Sequence, residues 1–307
     1  MEFRKYISPA TESYLVSNFH EQAQAWLDSF DSNVAALMDR WETEFACHEG
    51  DSRFGAILYG RSAKYGDVAI KIIPVFSERL KGEIECYRRL KYPEMCRLYD
   101  VDTRVGALLL KQIQVDFESA EDIKLRMFKT LHQNRVKGGA KEFPLYSDVV
   151  KSVLANALKE VGASNDEALK LFEPSIYRAL DTLDGFMDAE IYLVHGDAHG
   201  ANMLISGGNC VLIDPLGYNA PFEIEYSRYL GSAIKFTNMT PAELAGIMDK
   251  MLPENADFKR ALDAFAIDTT LRGCNTFIEG DTPEAVRYGA VWADNAWNLR
   301  EKLLKGI

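Results

Sequence analysis

The chain has 307 residues, 47% of them hydrophobic and 26% charged, a balance that suits an ordinary globular protein and excludes a small stapled scaffold. Its formal charge of −11 disfavours nucleic acid, whose phosphates need clustered Lys and Arg, and no stretch is apolar enough to span a bilayer. The five cysteines, Cys47, Cys86, Cys96, Cys210 and Cys274, are scattered and never form a Cys-x-x-Cys pair, so free, buried thiols are expected rather than disulfides or a zinc cluster. The start lacks the apolar run of a secretory signal, so a cytoplasmic protein is expected.

Along the chain, Trp26, Leu27, Phe30, Val34, Leu37, Met38 and Trp41 fall at helical spacing and predict one or two amphipathic N-terminal helices. The period then changes. Gly55 to Gly60 and Asp67 to Ile73 read as two strands around a Gly-containing turn, Ser77 to Leu90 as a helix, and Ala107 to Leu110 as another strand. Beyond residue 115 helical signals dominate. Ser164 to Glu167 and Thr240 to Glu243 have capping-box spacing, and Thr282-Pro283-Glu284 places Pro at a first helical position. A strand-like interruption runs from about Ile191 to Ile213. The pattern predicts an α+β chain with two lobes, 1–112 and 113–307, the first built on an antiparallel sheet and the second larger and mainly helical.

The chemistry concentrates in that interruption. Ile191 to Val194 reads as a buried strand, Gly196 opens a tight loop, and Asn202 follows Asp197 by five positions; a second apolar run then delivers Asp214 at its end. Phosphoryl transfer needs a carboxylate to orient the attacking hydroxyl and hard oxygen ligands for Mg²⁺. Asp197 has the order and spacing of the catalytic Asp of a kinase loop, and Asn202 and Asp214 those of its metal ligands. Singly, each is as well explained as a turn residue. The joint spacing decides for the site. His195 and His199 raise a zinc site as the rival, but a His-x-x-x-His pair needs a helix, which Gly196 and the preceding strand oppose.

The segment His195-Gly196-Asp197-Ala198-His199-Gly200-Ala201-Asn202 resembles the His-Gly-Asp-x-His-x-x-Asn signature of the aminoglycoside phosphotransferase and choline kinase group. Ile213-Asp214-Pro215-Leu216-Gly217 is similar to a segment of its streptomycin 6-kinase and hydroxyurea phosphotransferase branch, as are Trp26-Leu27, Leu37, Trp41 and Ala220-Pro221-Phe222-Glu223. Ala198, Gly200-Ala201 and Leu216 depart from the usual Leu, Pro-Gly and Lys. The resemblance implies a protein-kinase-like two-lobed fold, ATP, Mg²⁺, and transfer of the γ-phosphoryl group to a hydroxyl of a small-molecule substrate.

A kinase must also clamp the triphosphate. Val68-Ala69-Ile70-Lys71 matches the strand motif that supplies the lysine. Glu83 shares a helix face with Cys86, Tyr87 and Leu90 and so faces inward toward Lys71, whereas Glu85 lies with Arg88 and Arg89 toward solvent. Ser52, in the Gly50 to Gly55 turn, and the backbone of Gln112 and Ile113, at the hinge after the Leu108 to Leu110 strand, are further candidate nucleotide contacts.

Ala220-Pro221-Phe222-Glu223 follows Asp214 so closely that no activation segment fits between them, which argues against polypeptide substrates. An aminoglycoside-like acceptor would call for carboxylates, with Glu223, Glu225, Asp268, Glu279 and Asp281 as candidates. A choline- or ethanolamine-type acceptor would call for an aromatic cage, for which Tyr218, Phe222, Tyr226, Trp292 and Trp297 are available. A non-catalytic nucleotide-binding pseudokinase is expected to lose Lys71, Asp197, Asn202 or Asp214. All four are present.

Overall fold

A computed structural model describes residues 2–48, 54–116, 120–163, 166–234, 238–278 and 282–306. The chain divides into two compact units, Met1–Arg89 with Met95–Gln114, and Leu90–Glu94 with Val115–Ile307.

The first unit opens with helix α1 (Pro9–Arg40), capped by Ser8, whose hydroxyl accepts from the Thr11 N–H at 3.1 Å, and kinked where His20 leaves helical geometry. Five strands follow: β1 (Thr43–His48), β2 (Ala56–Ser62), β3 (Gly66–Ile72), β4 (Leu98–Asp102) and β5 (Ala107–Lys111). They form one antiparallel sheet in the order β1-β2-β3-β5-β4. The apolar stripe of α1 (Trp26, Leu27, Phe30, Val34, Leu37) is buried in one cluster with Ala56, Leu58, Val68, Ile70 and Ile72. Alternation along β3 puts those residues on one face and Lys71 on the other. Helix α2 (Glu78–Arg89) buries Leu80, Glu83, Ile84, Cys86 and Tyr87. The predicted hairpin and helices are present. β1 and β4 were not anticipated: both are edge strands with a register irregularity, and β4 is half-buried along most of its length, without the alternation that marks a strand in sequence.

The second unit contains helices α3 (Glu121–Gln133), α4 (Tyr146–Ala163), α5 (Glu167–Lys170), α6 (Glu173–Met187), α7 (Ile224–Ile234), α8 (Pro241–Met251), α9 (Phe258–Ile278) and α10 (Pro283–Lys305). Helix α9 packs against α4, α6, α7 and α10. It is buried on several sides by Ala261, Leu262, Ala264, Phe265, Ala266, Ile267 and Leu271, as a central helix must be. The Thr240 capping box is complete: the Thr240 N–H donates to Glu243 at 2.8 Å, and the Glu243 N–H donates to the Thr240 hydroxyl at 3.3 Å. Ser164 and Asn165 of the other predicted box lie outside the described residues.

Two small sheets carry the loops. One orders β10 (Tyr218–Ala220), β7 (Tyr192–Val194) and β6 (Val136–Lys137); the other is the hairpin of β8 (Met203–Ser206) and β9 (Asn209–Leu212). Cys86, Cys96, Cys210 and Cys274 are free and buried, and no helix among the described residues is long and apolar enough to cross a membrane.

Candidate functional site

In the first unit the strand lysine and the helix glutamate meet. Lys71 Nζ donates to Glu83 Oε1 at 2.7 Å, with side chains 5% and 0% exposed, and Arg79 Nε stands 3.7 Å from the other Glu83 oxygen. Glu85 bonds Arg88 at 2.8 Å and Arg89 at 3.2 Å on the outer face, so the helix separates the two glutamates as its periodicity predicts. The Gln112 N–H is donated to Asp67 O at 3.2 Å, which leaves its carbonyl for a nucleotide contact. The backbone groups of Ile113 make no hydrogen bond among the described residues. Ser52 lies outside them.

In the second unit the loop from His195 to Asn202 is fixed from several sides. His195 is fully buried between two backbone groups: Nδ1 accepts from the Asp197 N–H at 3.2 Å and Nε2 donates to Ile213 O at 2.9 Å. Those partners require the neutral ring, and burial accordingly pulls its pKa down to about 4. Both nitrogens are spoken for, so His195 is no metal ligand. His199 likewise uses Nδ1, accepting from the Ala201 N–H at 3.3 Å. Gly196 has φ +75°, and a Cβ there would sit 2.5 Å from the Tyr218 ring, so conformation and space both demand glycine.

The β8-β9 hairpin explains how residues far apart in the loop become neighbours. Gly207 and Gly208, at φ +56° and +74°, make the two-residue turn, and the strands pair Met203 with Leu212. The chain therefore returns to its starting point, with the Ile213 N–H donating to Asn202 O at 3.1 Å. Asn202 and Asp214 leave the hairpin side by side. Asp214 takes a left-handed φ of +58°, uncommon for a residue with a side chain.

Asp197 is the centre of the loop. Its Oδ2 and its backbone oxygen both accept from Asn202 Nδ2 at 3.0 Å, and its Oδ1 accepts from Arg228 Nε at 2.8 Å. Arg272 approaches Oδ1 to 4.0 Å and donates to Gly196 O at 3.2 Å. Burial works against the Asp197 charge, but Arg272 and Arg228 outweigh it and hold the carboxyl below its ordinary pKa. Because two donations fix the Asn202 amide, its Oδ1 is left as an acceptor with no protein partner among the described residues. The Asn202 amide oxygen and the Asp214 carboxylate, whose backbones the hairpin brings to the same end, are hard-oxygen donors, which fit Mg²⁺ and not a softer metal.

Three positioning groups escaped the sequence reading. Glu225, one of the carboxylates available for an acceptor, is instead fully buried and accepts from the backbone N–H groups of His195 and Gly196 and from the Tyr92 hydroxyl. Burial pushes its pKa up to about 7, against the pull of those donors. Arg228 lies three residues further on α7, one helical step along the same face. Arg272 lies four after Asp268 on α9, and charges on so apolar a helix were the available signal for a buried partner.

Most other acceptor candidates are spent inside the fold. Asp268 is buried, accepts from the Tyr146 hydroxyl at 2.9 Å and lies 3.5 Å from Arg272. Phe222 and Tyr226 are core, while Trp292 and Trp297 donate their N–H groups to Gly231 O and Thr270 Oγ1 at 3.0 Å. No aromatic cage forms from them. Glu223 stands 3.9 Å from Arg260, Tyr218 is half-buried against Gly196, and Glu279 and Asp281 lie outside the described residues.

No protein-family model and no curated protein sequence matches the chain. Solved structures do. A choline/ethanolamine kinase family protein from Mesorhizobium loti superposes with TM-score 0.63 over 90% of this chain and 95% of that one, at 14% identity. The choline kinase LicA from Streptococcus pneumoniae gives TM-score 0.63 over 89% and 99%, at 12% identity. The fold is that of a small-molecule kinase. A thermostable mutant of the aminoglycoside phosphotransferase APH(4)-Ia, in ternary complex with AMP-PNP and hygromycin B, shares it at TM-score 0.63 over 86% and 97%, with 12% identity. The kinase fold thus spans nearly the whole of both chains in each comparison, while the residues diverge.

Proposed function

We propose that the chain is an ATP- and Mg²⁺-dependent phosphotransferase that moves the γ-phosphoryl group of ATP to a hydroxyl of a small molecule. The arrangement of Asp197, Asn202 and Asp214 supports the reading: one carboxylate oriented by an amide, and a second carboxylate on the residue after the one whose backbone pairs with that amide's residue, in a fold shared with small-molecule kinases. Mg²⁺, held by Asn202 and Asp214, would neutralise the charge of the phosphates. Lys71, fixed by Glu83, meets the α and β phosphates, and the Ile113 backbone meets the base. Asp197 orients the acceptor hydroxyl and takes its proton as the acceptor oxygen bonds to the γ-phosphorus. The bond from that phosphorus to the bridging oxygen breaks, and its electron pair leaves with ADP. A cytoplasmic setting, where ATP is plentiful, suits this chemistry.

The sequence resemblance alone would favour an aminoglycoside-like acceptor and hence a resistance role, with choline- or ethanolamine-type metabolites second, but both are cations, and the Arg228 guanidinium beside Asp197 counts against them. A coupled ADP-release assay over hydroxyl compounds tests the activity. Asp197→Ala should lower kcat by about 10³-fold or more while leaving Mg-ATP affinity within a few-fold, because proton acceptance and hydroxyl orientation are both lost. Undiminished turnover in that variant would remove Asp197 from its role.

A further inference from the structure

We propose that the acceptor carries an anionic group, a carboxylate or a phosphate, near the hydroxyl that is phosphorylated, and that the guanidinium of Arg228 binds it. The inference rests on the kinase reading above and names its substrate class.

The charge around Asp197 points this way. Asp197, 13% exposed, pairs with Arg228, 20% exposed, at 2.8 Å, while Arg272 stands 4.0 Å off and is shared with Asp268 at 3.5 Å. Arg228 spends only Nε on Asp197, and among the described residues its two terminal nitrogens make no hydrogen bond. A guanidinium with that pair of donors unspent matches a carboxylate or phosphate in a bidentate grip. A cationic acceptor would instead meet like charge. Among the described candidates, Asp268 is engaged with Tyr146 and Arg272, Glu225 with the loop backbone, and Glu223 lies opposite Arg260. Like charges juxtaposed in this way select against a partner more strongly than contacts select for one.

The geometry also separates the acceptor from the transferred group. Asn202, on the metal side, holds Oδ2 of Asp197, while Arg228 holds the other oxygen, Oδ1. The guanidinium therefore meets the carboxylate at the edge away from Asn202. Each oxygen accepts a hydrogen bond in this state and keeps a further lone pair, but the pull of Arg228 makes Oδ1 the weaker base for a hydroxyl proton. An anion on the acceptor that draws Arg228 toward itself releases Oδ1 at the moment the hydroxyl arrives. A neutral acceptor leaves it held.

The test uses the whole chain and acceptors matched in their hydroxyls but not in charge: glycerate against glycerol, gluconate against sorbitol, and sn-glycerol 3-phosphate, with choline and kanamycin as cations. An anionic member should exceed its neutral partner in kcat/KM by tenfold or more. Arg228→Gln should bring that ratio toward one, chiefly by raising KM for the anion, and Arg228→Lys should fall between. Turnover confined to cationic or neutral acceptors overturns the proposal. So does an equal fall in kcat for every acceptor at unchanged KM, which would assign Arg228 to the transferred phosphoryl group. If no panel member turns over, malonate serves as the probe, with thermal melts recorded in saturating Mg-AMP-PNP against sodium chloride of equal ionic strength. Malonate should raise the Tm of the native chain and leave Arg228→Gln unmoved. Absence of that shift in a chain that binds Mg-ATP by calorimetry defeats the proposal alone, whereas absence of Mg-ATP binding defeats the kinase reading beneath it.

Discussion

Two carboxylates in this molecule face cations in opposite ways. Glu83 is wholly buried and meets Lys71 head-on at 2.7 Å, nearly one charge against one, deep beneath the sheet of the first unit. Asp197 keeps some contact with solvent and faces two guanidiniums and an amide in the second. The first pairs one cation with one carboxylate out of solvent, with Arg79 3.7 Å from the second Glu83 oxygen. In the second, Arg272 is shared with Asp268, and Arg228 spends only Nε, leaving two terminal donors without a hydrogen bond among the described residues. The contrast predicts that the Lys71 to Glu83 pair matters to folding as well as function, and the Asp197 cluster mainly to function.

The largest expected effect tests that division directly. Glu83→Gln leaves Lys71 buried without its charge partner and should destabilise the chain by about 3–5 kcal/mol, whereas replacing both by Lys71→Met and Glu83→Leu should recover most of the loss. Asp197→Asn should cost about 1 kcal/mol or less, because its arginines retain solvent or other partners, while abolishing turnover. Urea unfolding of the three variants reads both halves. Equal losses for Glu83→Gln and Asp197→Asn would erase the distinction.

Acid should reveal the second unit next. His195 and His132 are both buried neutral, their pKa values pulled by burial to about 4 from an ordinary 6.5. The unfolded chain takes up these protons as the pH falls below about 6.5 and the folded chain only near 4, so their stabilisation is complete above 6.5 and drains away between those values. Glu225 runs the other way: raised to about 7, its contribution is present below about 4.5 and is lost as the pH rises through 7. For these three groups net uptake on unfolding is therefore about one proton, a loss of about 2 kcal/mol between pH 6.5 and 4.5. His132→Gln should flatten that slope by about one proton in guanidinium titrations. A slope unchanged in the variant would mean that His132 is not held neutral in the fold.

What the sequence made legible follows the same line. Periodicity separated Glu83 from Glu85, and spacing picked out Asp197, Asn202 and Asp214, because each depends on a strand, helix or loop whose geometry is local. The Gly207-Gly208 turn that brings Asn202 back beside Asp214 was equally local and went unread, although two glycines between apolar runs are a hairpin signal. The arginines were of another kind. Arg228 lies 31 residues from Asp197, and Arg272 lies 76 from its partner Gly196, and both arrive through the packing of α7 and α9. No period in the sequence connects them to the loop. The acidic and aromatic candidates that turn inward, such as Glu225, Asp268 and Trp297, were misplaced for the same reason: composition supplies them, but only packing decides which way they face.

The smallest effect marks the limit of local reading. The Thr240 capping box was visible in four letters and forms as read, with both reciprocal bonds present. Thr240→Ala removes the acceptor for the Glu243 N–H at the start of α8 and should cost about 1 kcal/mol, with kcat and both KM values unchanged. Denaturant midpoints and ADP release on one preparation measure the two together. A loss as large as that of Glu83→Gln, or any change in acceptor preference, would show that α8 supports the Asp197 cluster and that the division between structural and functional carboxylates is less clean than their surroundings imply. The most legible feature of this chain thus carries the least of its chemistry, while Arg228, which no local pattern announces, decides which molecules Asp197 can serve.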